Sequence, residues 1–348
     1  MINDKQNKTN LMNKKINSLA GFLLAAVVVS LSSCSDDKEN NSETSAVPLL
    51  ENYSLKSEGI YPESVDFDHK NNRFVISSFN KGMVYTLSPD GKTLSPLVND
   101  ANLIAALGIY TDETNDRIII ASGDAGASEK SGANGSTAGK IAYVGIYNAK
   151  TGSIIKGINL KPLTSAGAFP NDIATDANGN IYITDSFSPV IYKIDKDYNA
   201  SVFVTNPAFA APSGSFGLNG IVYHKDGYLI AAHTQGNKLF KITISNGSVT
   251  EITGLDNAFK APDGLEWSGN HLIVVENGLA EGKVHLLSST SNWAAASKVK
   301  EMAIGQTEFP TSAYAADNGT IYVLNSYLGK LLGGDKTQAD YQIKGIKF

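Results

Sequence analysis

The chain holds one cysteine among 348 residues, Cys34, so no disulfide can form within it. Charge is sparse as well: 18% of residues are charged and the net balance is −5. Lys5, Lys8, Lys14 and Lys15 face only Asp4 in the first 33 residues, so the remainder is more acidic still, which argues against a nucleic-acid partner. No segment carries the 3.6-residue apolar period of an amphipathic helix. The one long apolar stretch, residues 19–29, is too short to cross a bilayer comfortably. What is plentiful is glycine (32), tyrosine (15) and phenylalanine (13), in a chain that is 42% hydrophobic, a balance that fits a soluble β-rich protein with frequent turns.

Lys14 and Lys15 precede the apolar stretch and Leu31-Ser32-Ser33-Cys34 follows it, which is the layout of a secretory signal peptide. Its end resembles the bacterial lipobox, in which a small residue stands before a cysteine that becomes acylated after cleavage. The resemblance implies a signal peptide over residues 1–33 and a lipid on Cys34, anchoring the protein in a membrane. Residues 34–48 are polar and aperiodic, as expected of a disordered tether. The acidic pair Asp36-Asp37 either resembles a surface-export signal of lipoproteins or belongs to a solvated linker. The expected location is the cell envelope, at the outer membrane and as far as the cell surface.

Residues 49–348 repeat one sentence six times. Tyr61-Pro62-Glu63-Ser64-Val65-Asp66 leads into Arg73-Phe74-Val75-Ile76, and Phe169-Pro170-Asn171-Asp172-Ile173 leads into Ile181-Tyr182-Ile183. Gly217-Leu218-Asn219-Gly220-Ile221 precedes Tyr228-Leu229-Ile230, and Ala261-Pro262-Asp263-Gly264-Leu265 precedes His271-Leu272-Ile273. Weaker copies stand at Ala106-Leu107-Gly108-Ile109 and Phe309-Pro310-Thr311-Ser312. The copies recur every 44 to 48 residues except for one interval of 64, and the common spacing is the size of a propeller blade of four short strands. Alternating segments such as Met83-Val84-Tyr85-Thr86-Leu87 supply a third strand, and Asn178-Gly179 and Asp226-Gly227 supply tight turns. The expected fold is all-β, a six-bladed β-propeller with four-stranded antiparallel blades. Closure of the ring needs the chain ends to pair, and either residues 50–56 or residues 341–348 could form the outermost strand of the last blade.

If each copy opens the innermost strand of a blade, the positions Glu63, Leu107, Asn171, Asn219, Asp263 and Thr311 lie around one end of the central channel. Two carboxylates and two amides, from Glu63, Asn171, Asn219 and Asp263, then point at one axis. Oxygen donors of this kind suit a divalent cation, calcium ahead of magnesium or zinc, since no thiol joins them.

Those Pro-Glu, Pro-Asn-Asp, Leu-Asn-Gly and Pro-Asp-Gly openings resemble the gluconolactonase (senescence marker protein) family of six-bladed propellers, with relatives in diisopropylfluorophosphatase and paraoxonase. The likeness covers residues 61–326 and implies that Glu63, Asn219 and Asp263 ligate a catalytic divalent metal. Asn171 would be a further ligand or a contact to substrate and water. NHL-type propellers repeat similar openings without metal, because Asn, Asp and Gly also suit turns. The chain departs from the family in two places. No arginine stands before Asn171, where sugar lactonases resemble one another by carrying one, and no histidine lies between Leu107 and Pro170, where paraoxonases have theirs. A hydrolase built this way would take its base from Asp263 or from a water polarised by the cation.

The second strand of each blade runs back toward the ring, so its exit loop is expected to border the pocket. That assigns substrate contacts to Phe79, Phe187, His233 and Glu276, with His233 either a proton carrier or a structural residue. An insertion at residues 123–140, rich in Gly, Ala and Ser, is expected on the same side as a flexible lid or a plain exposed loop. Two main functions remain open. One is an envelope hydrolase of lactones or related esters that depends on a divalent cation. The other is a non-catalytic propeller that binds a glycan, peptide or protein partner through its top face. A third, metal-free activity like that of strictosidine synthase relatives, with a lone glutamate as acid and base, is the weakest.

Overall fold

The structure is a computed structural model, and it describes residues 48–165, 167–278, 281–305 and 308–348. The segment expected to be a signal peptide, Cys34 and the expected tether up to residue 47 lie outside the described residues. The described chain forms six four-stranded antiparallel sheets. Their inner strands are Pro62–Asp68, Ala105–Asp112, Pro170–Thr175, Leu218–His224, Pro262–Ser268 and Pro310–Ala315, which open blades 1 to 6 in that order. Each inner strand lies against the inner strands of both neighbouring blades, first against last, so the ring is closed. The six-bladed propeller read from the repeat is the fold.

The burial pattern within a blade follows from that stacking. The second strand has a neighbouring blade on both faces and is buried along nearly all its length, and throughout in Arg117–Gly123 and Ile181–Asp185, which accounts for their apolar runs. The outer strands face water; Ile154–Asn159 is exposed at all but one position. Asn178-Gly179 and Asp226-Gly227 occupy hairpin tips, where each glycine takes a positive φ (79° and 84°).

Ring closure settles the choice between the two chain ends. The C-terminal strand, Asp340–Ile346, is third in blade 6, and the N-terminal strand, Asn52–Lys56, is outermost, paired antiparallel to it with Tyr53 opposite Ile343. Tyr53 explains why the N-terminal segment wins that place. Its ring packs edge-on against Phe74 and Tyr322, and its hydroxyl donates to Pro89 O while accepting from Leu50 N–H. That anchors the strand to blade 1 as well as blade 6, as a clasp over the seam must be.

One feature recurs in all six blades. The pairing of the inner strand with the second strand slips at the ring position: between Pro62 and Val65, Ala106 and Ile109, Pro170 and Ile173, Leu218 and Ile221, Pro262 and Leu265, and Pro310 and Ser312. A bulge frees its residue from the ladder and re-aims the side chain. Glu63, Leu107, Asn171, Asn219, Asp263 and Thr311 each sit inside one.

The Asn-Gly and Asp-Gly pairs at the ring are therefore strand, not turn, and their glycines have another cause. A Cβ on Gly220 would stand 2.3 Å from Asp263 O, and one on Gly264 would stand 2.5 Å from Thr311 O. Neighbouring blades approach too closely there for any side chain. Where the same place is not glycine, a polar group bridges the gap instead: Asp172 accepts from Ile221 N–H (3.0 Å) and Ser312 Oγ accepts from Val65 N–H (3.3 Å).

Candidate functional site

The ring oxygens are held from behind by the ends of the second strands. Asn171 Nδ2 donates to Ser186 Oγ (2.9 Å), whose own proton goes to Leu218 O (2.6 Å). Asn219 Nδ2 donates to Thr234 Oγ1 (3.0 Å), whose proton goes to Pro262 O (2.8 Å). A hydroxyl has one proton, and each of these is committed to a carbonyl, so each can only accept from the amide. Asn171 therefore turns its NH2 toward Ser186 and leaves its oxygen to the ring, while the Asn219 amide bonds Thr234 and also hydrogen-bonds Asp263. Asn171 Oδ1 is buried there with no hydrogen-bond partner, the situation that in a native site calls for a ligand or water. Asp263 Oδ2 accepts from Asn277 Nδ2 (2.9 Å), and Thr311 Oγ1 donates to Glu63 O (2.6 Å), tying blade 6 to blade 1.

All six blades contribute to a central cavity of about 460 Å3. Glu63, Asn171, Asn219 and Asp263 line it together, so the structure does bring the four expected ligands to one space. They are 8%, 4%, 7% and 4% exposed, buried yet in contact with the cavity. No Lys or Arg lines it, and the carboxylates respond. Burial, followed by the charges of Asp263 and Asp172, holds Glu63 well above the usual carboxylate range. Burial pushes Asp263 up to about 7, with Asn277 opposing and Asp172 reinforcing. Among the described residues no three His, Cys, Asp or Glu side chains gather at metal-ligand spacing; the ring offers two of these and two amides. Its donor set is all oxygen and carries the charge of two carboxylates, which fits a calcium-like cation and leaves zinc the poorest match.

The substrate residues expected on the exit-loop side do not line this cavity. Phe79 is buried, and Phe187 packs with Phe169 and Phe216 at ring distances of 5.0 and 5.4 Å. His233 is buried with both nitrogens engaged: Nδ1 accepts from Gly236 N–H (2.8 Å), so Nε2 carries the proton toward Phe209 O (3.1 Å). Burial lowers its pKa, which keeps it neutral, and nothing about this placement suits a proton carrier. Glu276 pairs with His285 Nε2 at 2.7 Å inside blade 5. These four side chains support the blades.

The cavity extends the other way, along the inner strands, to a mouth where Thr114 and half-exposed His69 and Glu113 reach solvent. Its wall contains five carboxylates that the repeat reading passed over: Asp66, Asp112, Glu113, Asp172 and Glu266. Asp66 and Glu266 stand three residues after Glu63 and Asp263 in their copies, so the repeat carried the signal, one step further along the strand.

The insertion is also placed differently from expectation. Asp124, fully buried, gathers it by accepting from Gly126 N–H and from the hydroxyls of Ser131 and Thr137. Ser128 Oγ shares its one proton between Asn80 O and Ile104 O, and Lys130 Nζ donates to Gly82 O (2.7 Å) and Asp100 O (2.9 Å). The segment is fastened to blade 1 and is no loose lid.

No family model and no curated sequence matches the chain. Solved structures do match in fold. The major allergen Mala s 1 of Malassezia sympodialis superposes with a TM-score of 0.66 at 17% identity, over 85% of this chain and 96% of that one. A luciferin-regenerating enzyme gives 0.56 at 12% identity, over 85% and 97%. A candidate gluconolactonase gives 0.55 at 12%, over 88% and 98%. At these identities the likeness establishes the propeller, and one propeller serves many functions.

Proposed function

We propose that this protein is a divalent-cation-dependent hydrolase of lactones or related esters, with Glu63, Asn171, Asn219 and Asp263 holding the cation. One observation carries the reading: two asparagines, held from behind by Ser186 and Thr234, line the same cavity as two carboxylates, and the buried Asn171 Oδ1 has no partner. The likeness in fold to a candidate gluconolactonase is consistent with it. When bound, a divalent cation polarises an ester carbonyl and neutralises charge developing on its oxygen. The chain's own residues do the rest. Asn171 and Asn219 would fix the approach of the cation's oxygen partners, Glu63 would supply charge, and Asp263, oriented by Asn277, would take up the proton released when water attacks. The protein acts at the cell envelope through a lipid on Cys34.

Calcium should raise the melting temperature of the purified protein by binding the native state alone. Asp263→Ala should abolish that rise together with hydrolysis across a panel of lactones and esters. No response to millimolar calcium, with esters untouched, would replace the enzyme by a binding propeller. For the anchor, Cys34→Ala should release the protein from the membrane fraction; unchanged membrane association would remove the lipid from the proposal.

A further inference from the structure

Three residues beyond the ring, the inner strands line the cavity with a second level: Asp66, Tyr110, Ala174, Val222, Glu266 and Tyr314. In ring order Tyr314 of blade 6 stands between Glu266 of blade 5 and Asp66 of blade 1, so the two carboxylates flank it. Across the ring from them stand Tyr110, Ala174 and Val222, of which the last two are short. Asp66 is occupied by backbone donors, Phe67 N–H at 2.7 Å and Thr111 N–H at 2.8 Å. Glu266 Oε1 accepts from Trp267 N–H (2.9 Å), while its Oε2 takes no hydrogen bond from any described residue. Burial, then the charge of Asp66, pushes Glu266 up to about 8, the mark of an anion short of positive charge. The same cavity holds Asn171, 4% exposed, whose Oδ1 has no hydrogen-bond partner, a second sign that something other than protein fills it.

We propose that the ligand of this channel carries an organic cation, an alkylammonium group that lodges between Asp66 and Glu266 with its carbon stem along Ala174 and Val222. An inorganic ion is the poorer occupant of this level. Calcium asks for six to eight oxygens, whereas this level offers two carboxylates beside two tyrosines, with Ala174 and Val222 giving a carbon chain an apolar side to lie along. Three residues of strand span at most about 10 Å at ~3.3 Å per residue. A cation here and an ester carbonyl at the ring would therefore be separated by a stem of about five or six carbons. The ester half of this statement rests on the ring being the hydrolytic site; the cation half does not.

The two halves separate in the test. With chelator present, hexylammonium should raise the melting temperature of the protein and 1-hexanol, the neutral counterpart, should not. Glu266→Gln should weaken hexylammonium about tenfold and leave the calcium response in place, whereas Asp263→Ala should lose calcium and keep hexylammonium. Asp66→Asn should act like Glu266→Gln; because Asp66 also receives two backbone donors, Glu266→Gln carries the test if that variant fails to fold. In the presence of calcium, methyl 6-aminohexanoate should be cleaved faster than methyl hexanoate. An absent hexylammonium shift, an equal shift with hexanol, or a shift unchanged by Glu266→Gln overturns the cation site. Loss of the calcium response alone overturns the ring and leaves the cation site standing.

Discussion

Blades 3, 4 and 5 and blades 2 and 6 hold their ring residues in different ways. In blades 3 to 5 a side chain at the end of the second strand reaches forward to the ring residue: Ser186 to Asn171, Thr234 to Asn219, Asn277 to Asp263. In blade 2 the ring residue is Leu107, 1% exposed and packed in the hydrophobic core with Phe169 and Phe79. In blade 6 Thr311 turns its hydroxyl to the backbone of Glu63. The bulge is common to all of them, so a bulge places the side chain, and what lies behind it decides whether the position presents an oxygen or seals the ring. The difference can be broken from the oxygen-bearing side by charge. Asp172 and Asp263 lie at about 7 and Glu266 at about 8, all raised by burial. Unfolding returns each to about 4, so between pH 4 and 8 the unfolded chain binds fewer protons than the folded one, and stability falls as pH rises. The chelated protein should lose stability steadily across that window, at up to ~1.4 kcal/mol per pH unit for one titrating group. Urea midpoints taken at pH 5, 6, 7 and 8 check it, and a flat profile would mean that the carboxylates stay charged and paired. Calcium should recover most of the loss above pH 7.

A second, smaller effect tests the sealing side. Leu107→Ala should cost ~2–5 kcal/mol, the range for a buried leucine, yet leave the calcium-induced rise in melting temperature unchanged. A lost calcium response there would show that blade 2 shapes the ring and does more than seal it. The insertion of blade 2 belongs to the same side. Removing residues 128–136 deprives Asp124 of Ser131, and leaves Asn80, Ile104, Gly82 and Asp100 carbonyls without their donors. Unmade buried hydrogen bonds cost ~1–3 kcal/mol each, so this deletion should lower the melting temperature clearly. Calorimetry decides it, and an unchanged transition would return the segment to the status of a lid.

How far the sequence reached follows the same division. The period and the six ring positions were legible because each copy carries its own turn, apolar run and opening residues, and stacking of like units leaves that pattern intact. The second-strand exit loops were legible as positions and misleading as a site. His233 and Glu276 are the types that do chemistry, but Gly236, Phe209 and His285, their actual partners, are assigned only by three-dimensional packing. Asp66 and Glu266 were within reach, since they recur three residues after Glu63 and Asp263, but in four of the six copies that position is Tyr, Ala or Val, which hid the pair. The insertion read as loose because Gly, Ala and Ser bury little surface; its order comes from one buried carboxylate, Asp124, whose role is invisible without the hydroxyls around it.

The finest test of the comparison exchanges one hydroxyl for another on the same strand. Ser186 and Thr184 both donate to backbone carbonyls of blade 4, Leu218 O and Asn219 O, each at 2.6 Å. They differ in what they accept: Ser186 takes the Asn171 amide, and Thr184 takes the backbone N–H of Asp172 (3.1 Å). Ser186→Ala and Thr184→Val each remove one buried donor and should lower stability by a similar ~1 kcal/mol. Only Ser186→Ala frees the Asn171 amide to turn, putting NH2 where the oxygen faced the channel for part of the time and setting a dipole against an incoming cation. Calcium affinity should therefore fall about tenfold, ~1.4 kcal/mol, in Ser186→Ala and stay within twofold in Thr184→Val. Isothermal titration of the two variants at equal pH reads the difference directly. Equal losses would mean that the hydroxyls act through blade spacing alone, and that the orientation of the amide is not what makes blade 3 a ligand and blade 2 a seal.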